Sequence, residues 1–115
     1  MERRYRLSRS RDFDAVYRHG RSISTRYLVL YWFSHEEERD ESTPRLGLAI
    51  PKSVGTAVKR NRLKRQLREA WSMNERPAGH DYVLVARPGL SEAAEAQGYG
   101  WLRRRVDEVL GKASL

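Results

Sequence analysis

The chain contains no cysteine, which excludes disulfides, zinc–thiolate sites and thiol nucleophiles together. Long apolar runs are missing too. The longest stretch free of Asp, Glu, Lys and Arg is Tyr27 to His35, nine residues, too short to cross a bilayer. The basic start, Met1 through Arg6, is followed by no apolar segment, so no signal peptide is expected. Histidines are sparse: His19, His35 and His80 stand alone, with no ligand-type neighbour at i+4. Asp12 and Asp14 sit two apart on an expected helix and face different ways. The acids Glu36, Glu37, Glu38, Asp40 and Glu41 crowd a connection that is a poor place for a preorganised site. Neither a catalytic side chain nor a protein-held metal is expected. A metal-dependent nuclease acting alone therefore lacks its convergent carboxylates. What remains is one soluble, cytoplasmic domain of 115 residues, able to bury roughly 65% of its unfolded surface.

Charge is what the chain has in excess: 33% of residues are Asp, Glu, Lys or Arg, and the net charge is +8. The excess is unevenly placed. Residues 1–26 hold eight basic residues against three acidic, and residues 46–68 hold seven against none. Residues 27–45 and 69–115 are net acidic. Clustered cations suit a polyanion, because releasing condensed counterions from phosphates rewards several positive charges acting together. A basic surface without a partner is the plainer alternative.

The local pattern predicts a small α+β sandwich of two layers, helices packed on a mixed sheet, in the order α-β-β-α-β-α. Residues 1–9 read as a basic arm containing Arg3, Arg4, Arg6 and Arg9. Ser10 is placed to cap a helix to about Arg18, with Phe13, Val16 and Tyr17 at helical spacing and Gly20 as its stop. Residues 27–33 read as a strand, 34–44 as an acidic loop, and 45–50 as a second strand antiparallel to the first. That second strand alternates Leu46, Leu48 and Ile50 with the small Gly47 and Ala49, which leaves room for a groove beside Tyr31. Thr56 should cap a helix to Trp71 with Leu63, Leu67, Ala70 and Trp71 inward. A third strand spans 81–87, and Ser91 is placed to cap a last helix that buries Leu102, Val106, Val109 and Leu110. Gly98 and Gly100 each weaken that helix by about 1 kcal/mol relative to Ala.

The segment from Lys59 to Glu69 is the most distinctive in the chain. Lys59, Arg60, Arg62, Lys64, Arg65 and Arg68 fall within ten residues, with no acid among them. On a helix they give five like-charge pairs at i+3 or i+4, which cost roughly 1–2.5 kcal/mol together. A helix that merely faces water mixes signs and avoids this, so an anionic partner is the better account. Asn61 adds an amide that can both donate and accept, useful against a base edge or a 2′-hydroxyl.

This run, preceded by Ala57-Val58, resembles the RNR signature of the bacterial ribonuclease P protein component family. The likeness extends to Phe13 with Val16, Tyr17 and Gly20, to Val29-Leu30-Tyr31, and to Leu46-Gly47-Leu48 with Lys52. It covers residues 6–110, in the family's order of elements. The resemblance implies a protein cofactor of a catalytic RNA, in a holoenzyme that removes the 5′ leader of precursor tRNA. Mg²⁺ for phosphodiester hydrolysis is expected to be held mainly by the partner RNA, because phosphate oxygens suit a hard cation. The resemblance also implies a βαβ crossover of the unusual left hand around the signature helix, against the general rule. It assigns Lys59, Arg60, Asn61, Arg62, Lys64, Arg65 and Arg68 to the catalytic RNA. Phe13, Tyr17, Tyr31 and Lys52 it assigns to a cleft for the leader.

Aromatic rings beside cations suit unstacked bases, at about 1–3 kcal/mol each. Ordinary core packing is an equal reading for Phe13, and a lesser one for the tyrosines, whose hydroxyls prefer water or a partner. A structural RNA-binding protein of ribosomal type, without a processing role, is the alternative function; it needs the basic surface but no aromatic groove. Neither reading involves a membrane or a small-molecule substrate.

Overall fold

The computed structural model describes residues 6–34, 44–74 and 80–114. Helix α1 (Ser10–His19) leads into strands β1 (Arg21–Ser24), β2 (Leu28–Ser34) and β3 (Arg45–Ala49). A 3-10 turn (Lys52–Val54), helix α2 (Ala57–Ser72), strand β4 (His80–Ala86) and helices α3 (Leu90–Gln97) and α4 (Tyr99–Lys112) complete the order. The fold is α+β, four helices on a four-stranded mixed sheet. Most of the acidic 34–44 connection and residues 1–5 of the basic arm lie outside the described residues, as does His35.

The sheet runs β1-β2-β4-β3, and this corrects the pairing expected from sequence. Strands 27–33 and 45–50 are not partners. β4 lies between them, antiparallel to β2 and parallel to β3. The reason is written in β4 itself, where Tyr82 and Leu84 are buried on one face and Val83 on the other. A strand apolar on both faces gains most at the centre of a sheet. Because β3 and β4 are parallel neighbours, their connection must cross over the sheet, and α2 makes that crossing. A further strand, β1, was not foreseen. Its four residues are mostly exposed and carry no apolar alternation; it exists by pairing with β2, Ser22 opposite Tyr31.

Leu28 and Leu30 of β2 and Tyr82 and Leu84 of β4 face α2, α3 and α4 in the larger core. α2 contributes Leu63, Leu67, Ala70 and Trp71, the face its spacing predicts, and Thr56 caps it: Oγ1 accepts from the Lys59 amide at 3.3 Å. The other caps differ. The cap positions of α1 and α3 are Arg9 and Gly89, while Ser10 and Ser91 are already helical. The single last helix is in fact two, broken at Gly98 (φ +89°), a left-handed conformation that costs glycine little.

The opposite face of the sheet is covered only in part. There α1 packs Val16 against Val83 and Leu7 in a second, smaller cluster. The Leu7 amide donates to the Leu46 carbonyl at 2.8 Å, so the segment entering α1 covers the outer edge of β3. Gly20 stops α1 with extended backbone, and a Cβ there would run into the carbonyl oxygens of Val16 and Trp32.

Candidate nucleic-acid interface

The cations of α2 divide by helical geometry into three rows. Arg60, Lys64 and Arg68 form a half-buried row on one flank. Arg60 Nε donates to the Gly55 carbonyl at 3.2 Å, which ties the helix start to the turn before it. The Arg68 guanidinium titrates below the usual arginine range, first through burial and then through Arg6 nearby. Arginine stays cationic regardless, so Arg6 joins this row as an added positive charge. Asn61 and Arg65 point outward and are exposed.

The third row departs from the expected open face. Lys59 Nζ lies 3.6 Å from the Glu95 carboxylate of α3, so its charge is partly matched inside the fold. With Arg62 and Gln66 it lines a shallow groove against Ser91, Glu95 and Tyr99. Among the described residues, no other cation of the seven signature positions has an acid within ion-pair distance. The like-charge pairs Arg60/Lys64, Lys64/Arg68, Arg62/Arg65 and Arg65/Arg68 stand without a neutralising acid among the described residues.

Phe13, Tyr17 and Tyr31 come together on the opposite side of the sheet. Tyr17 meets Tyr31 edge to face with ring centroids 4.9 Å apart, and Phe13 lies 6.4 Å from Tyr17. Tyr17 is 41% exposed, so a large apolar ring faces water. Its hydroxyl titrates above the ordinary tyrosine range because of burial first, then Tyr31 and Asp14, and remains a neutral donor. Phe13 is different. A Cβ on Gly47 would lie 2.5 Å from Phe13 Cζ, so the phenyl ring occupies the bare spot on β3. It holds α1 on the sheet, the packing role weighed for it. Phe13 thus takes up the space expected to open beside Tyr31; Val85 and Ala49 pack half-buried in the same small cluster, and Val29 is paired opposite Val85. Lys52 stands exposed on the 3-10 turn just beyond β3.

One part of this face went unread in the sequence. Arg45 makes a two-pronged hydrogen-bonded ion pair with the fully buried Asp81, at 2.9 and 2.7 Å, and its other nitrogen lies 3.6 Å from Asp12. Hydrogen bonding to Asp81 foremost raises the guanidinium above its usual range. The pair locks β3 to β4 and draws α1 in beside them. Its signal was an acid at an inward position of an apolar strand, which burial tolerates only with a partner.

His19 packs near Phe33 on the α1 side of the sheet, and His80 stacks on Tyr82 on the other. Among the described residues, no three His, Asp or Glu side chains gather as a metal-binding group, and no helix is long and apolar enough to cross a membrane.

Fold and charge define a class: a small α+β domain whose crossover helix carries dense cations, largely unpaired among the described residues, backed by an aromatic sheet face. Comparison with known proteins then narrows it. The family model described as Ribonuclease P matches residues 1–114. The ribonuclease P protein component of an Exiguobacterium strain is 36% identical over 97% of this chain and 100% of its own length. That of Streptococcus mutans is 34% identical over 100% of this chain and 91% of its own. The solved ribonuclease P protein of Thermotoga maritima superposes with a TM-score of 0.80 at 30% identity, covering 93% of this chain and 96% of that one. The chain belongs to the ribonuclease P protein component family. It is accordingly a subunit of ribonuclease P, with a place in tRNA processing and an RNA partner.

Proposed function

We propose that this chain is the protein cofactor of the ribonuclease P holoenzyme, which binds the catalytic RNA with one face and the 5′ leader of precursor tRNA with the other. The observation that carries this reading is the separation of two unlike surfaces by one sheet. Dense cations with the amides of Asn61 and Gln66 stand on α2, and the exposed Tyr17 packed on the half-buried Tyr31 stands across from them. Phosphate neutralisation needs the first composition, and stacking of unpaired bases needs the second. Arg60, Asn61, Arg62, Lys64, Arg65 and Arg68 hold the catalytic RNA, with Lys59 shared between RNA and Glu95. Tyr17 and Tyr31 take unstacked leader bases, Lys52 takes a leader phosphate, and Phe13 fixes α1 beneath them. Mg²⁺ would be held mainly by RNA oxygens and not by side chains of this chain, and would supply activation of water for phosphodiester cleavage.

Tyr31→Ala tests the division. In the assembled enzyme it should weaken precursor tRNA binding by about 1–3 kcal/mol, the worth of one stacked base, and leave mature tRNA binding and assembly unchanged. Equal weakening of precursor and mature tRNA would return Tyr31 to a packing role. A companion series, Asp12→Asn, Asp14→Asn, His19→Ala and His80→Ala, should leave the cleavage step nearly intact. A thousandfold loss in a folded, assembled variant, about 4 kcal/mol of barrier, would place chemistry on the protein.

A further inference from the structure

A second set of cations, outside the signature helix, gathers where α4 meets the β1–β2 turn. The Arg26 guanidinium lies 5.1 Å from the centre of the Tyr27 ring, Tyr27 meets Trp101 edge to face at 5.1 Å, and Arg105 lies 5.2 Å from the centre of Trp101. The result is a row of cation, ring, ring and cation, with both rings half-buried. Two more cations brace the turn: Arg87 donates to the Thr25 carbonyl at 2.8 Å, and Lys112 donates to the Ser24 carbonyl at 3.0 Å.

Arg26, Arg87 and Lys112 rest on ring faces or backbone carbonyls, which fix position without cancelling charge. Among the described residues, the one acid within ion-pair distance of the group is Glu108, 3.7 Å from Arg105. A corner with so little matching charge is costly to assemble and gains from an anion. Arg105 is half-buried and committed to Glu108, whereas Arg26 is exposed, and an exposed arginine over a ring can grip a phosphate while the neighbouring ring takes a base.

We infer that this corner is a second RNA-docking surface, and that its occupant is the RNA subunit of ribonuclease P at an unstacked base flanked by phosphates. This rests on the proposed division of surfaces. Tyr27 and Trp101 pack against the larger core, in the layer that contains α2, whereas the leader face lies across the sheet. A single RNA bound to α2 and reaching this corner stays on one side of the protein.

The test measures the affinity of the full-length protein for the RNA subunit over a range of monovalent salt. Arg26→Ala/Lys112→Ala removes two exposed charges without touching the core, and Trp101→Leu keeps apolar bulk while removing the stacking ring. Arg62→Ala/Arg65→Ala serves as the comparison, with thermal unfolding confirming that each variant is folded. The corner pair should weaken RNA binding about fivefold or more and flatten the log–log salt slope by about 1.5, for two lost phosphate contacts. Trp101→Leu should weaken binding about fivefold or more with the slope unchanged. If the comparison variant weakens binding and both corner variants stay within twofold, the corner proposal falls and the signature helix stands. If none of the three changes affinity, both fall. Corner variants that spare the RNA subunit but weaken precursor or mature tRNA binding by the assembled enzyme would also overturn the assignment.

Discussion

The cationic face of α2 and the aromatic face of the sheet stand on opposite sides of the same strands, yet they are built differently. The first comes from one uninterrupted segment, Lys59 to Arg68, whose side chains take their positions as soon as the helix forms. The second draws Phe13 and Tyr17 from α1, Tyr31 from β2, Val85 from β4 and Gly47 from β3. Local construction lets charge be removed at little structural cost where the cations are exposed, as at Arg62 and Arg65, because the buried residues of α2 lie on its other side. Assembled construction makes the recognition face part of the core. Mutations on the two faces should therefore report on different quantities: binding and its salt dependence on one, stability together with binding on the other.

The largest effect should come from Asp81→Ala, which strikes the assembled face at its anchor. Removing a fully buried carboxylate strands Arg45 and should lower unfolding free energy by about 3–5 kcal/mol, read by urea denaturation. A loss below about 1 kcal/mol would mean that the strand pair holds without its ion pair. Thr56→Ala should cost about 1 kcal/mol by leaving the first turn of α2 uncapped. It should weaken RNA-subunit binding by no more than fraying of that turn explains, and precursor discrimination should survive. Arg65→Ala should be the mildest for stability, within about 0.5 kcal/mol, because it is exposed and removes a like-charge neighbour. Its signature is electrostatic: the log–log salt slope for RNA-subunit binding should flatten by about 0.7–0.9. A destabilised Arg65→Ala protein with an unchanged slope would erase the contrast between the faces.

The signature helix was legible almost whole. Its cap at Thr56, its inward residues and its cation spacing all follow from neighbours within four positions. The exception is Lys59, whose partner Glu95 arrives from a helix that the sequence pattern did not separate from α4. On the aromatic face, the rings were legible as types but not as an arrangement. The exposed Tyr17 meets the half-buried Tyr31, while Phe13 is committed to covering Gly47. Nothing near Phe13 in the chain distinguishes it from Tyr17, because the space that separates their roles belongs to β3. The Arg45–Asp81 pair escaped for the same reason, its members 36 positions apart.

By itself, the sequence determined the α+β composition, the position and polarity of α2, and the concentration of positive charge that marks a polyanion partner. Each is a local property: helix hydrogen bonds reach four residues, and charge is counted along the chain. Tertiary structure alone decided that β4 would sit between β2 and β3, that β1 would exist at all, and which aromatic would face water. Strand order depends on which faces find apolar cover, and β4, apolar on both, takes the centre wherever its neighbours stand in the chain. β1 has no apolar pattern to announce it and is held by hydrogen bonds to a partner strand. Backbone pairing of that kind carries no side-chain signature, so only the folded chain reveals it.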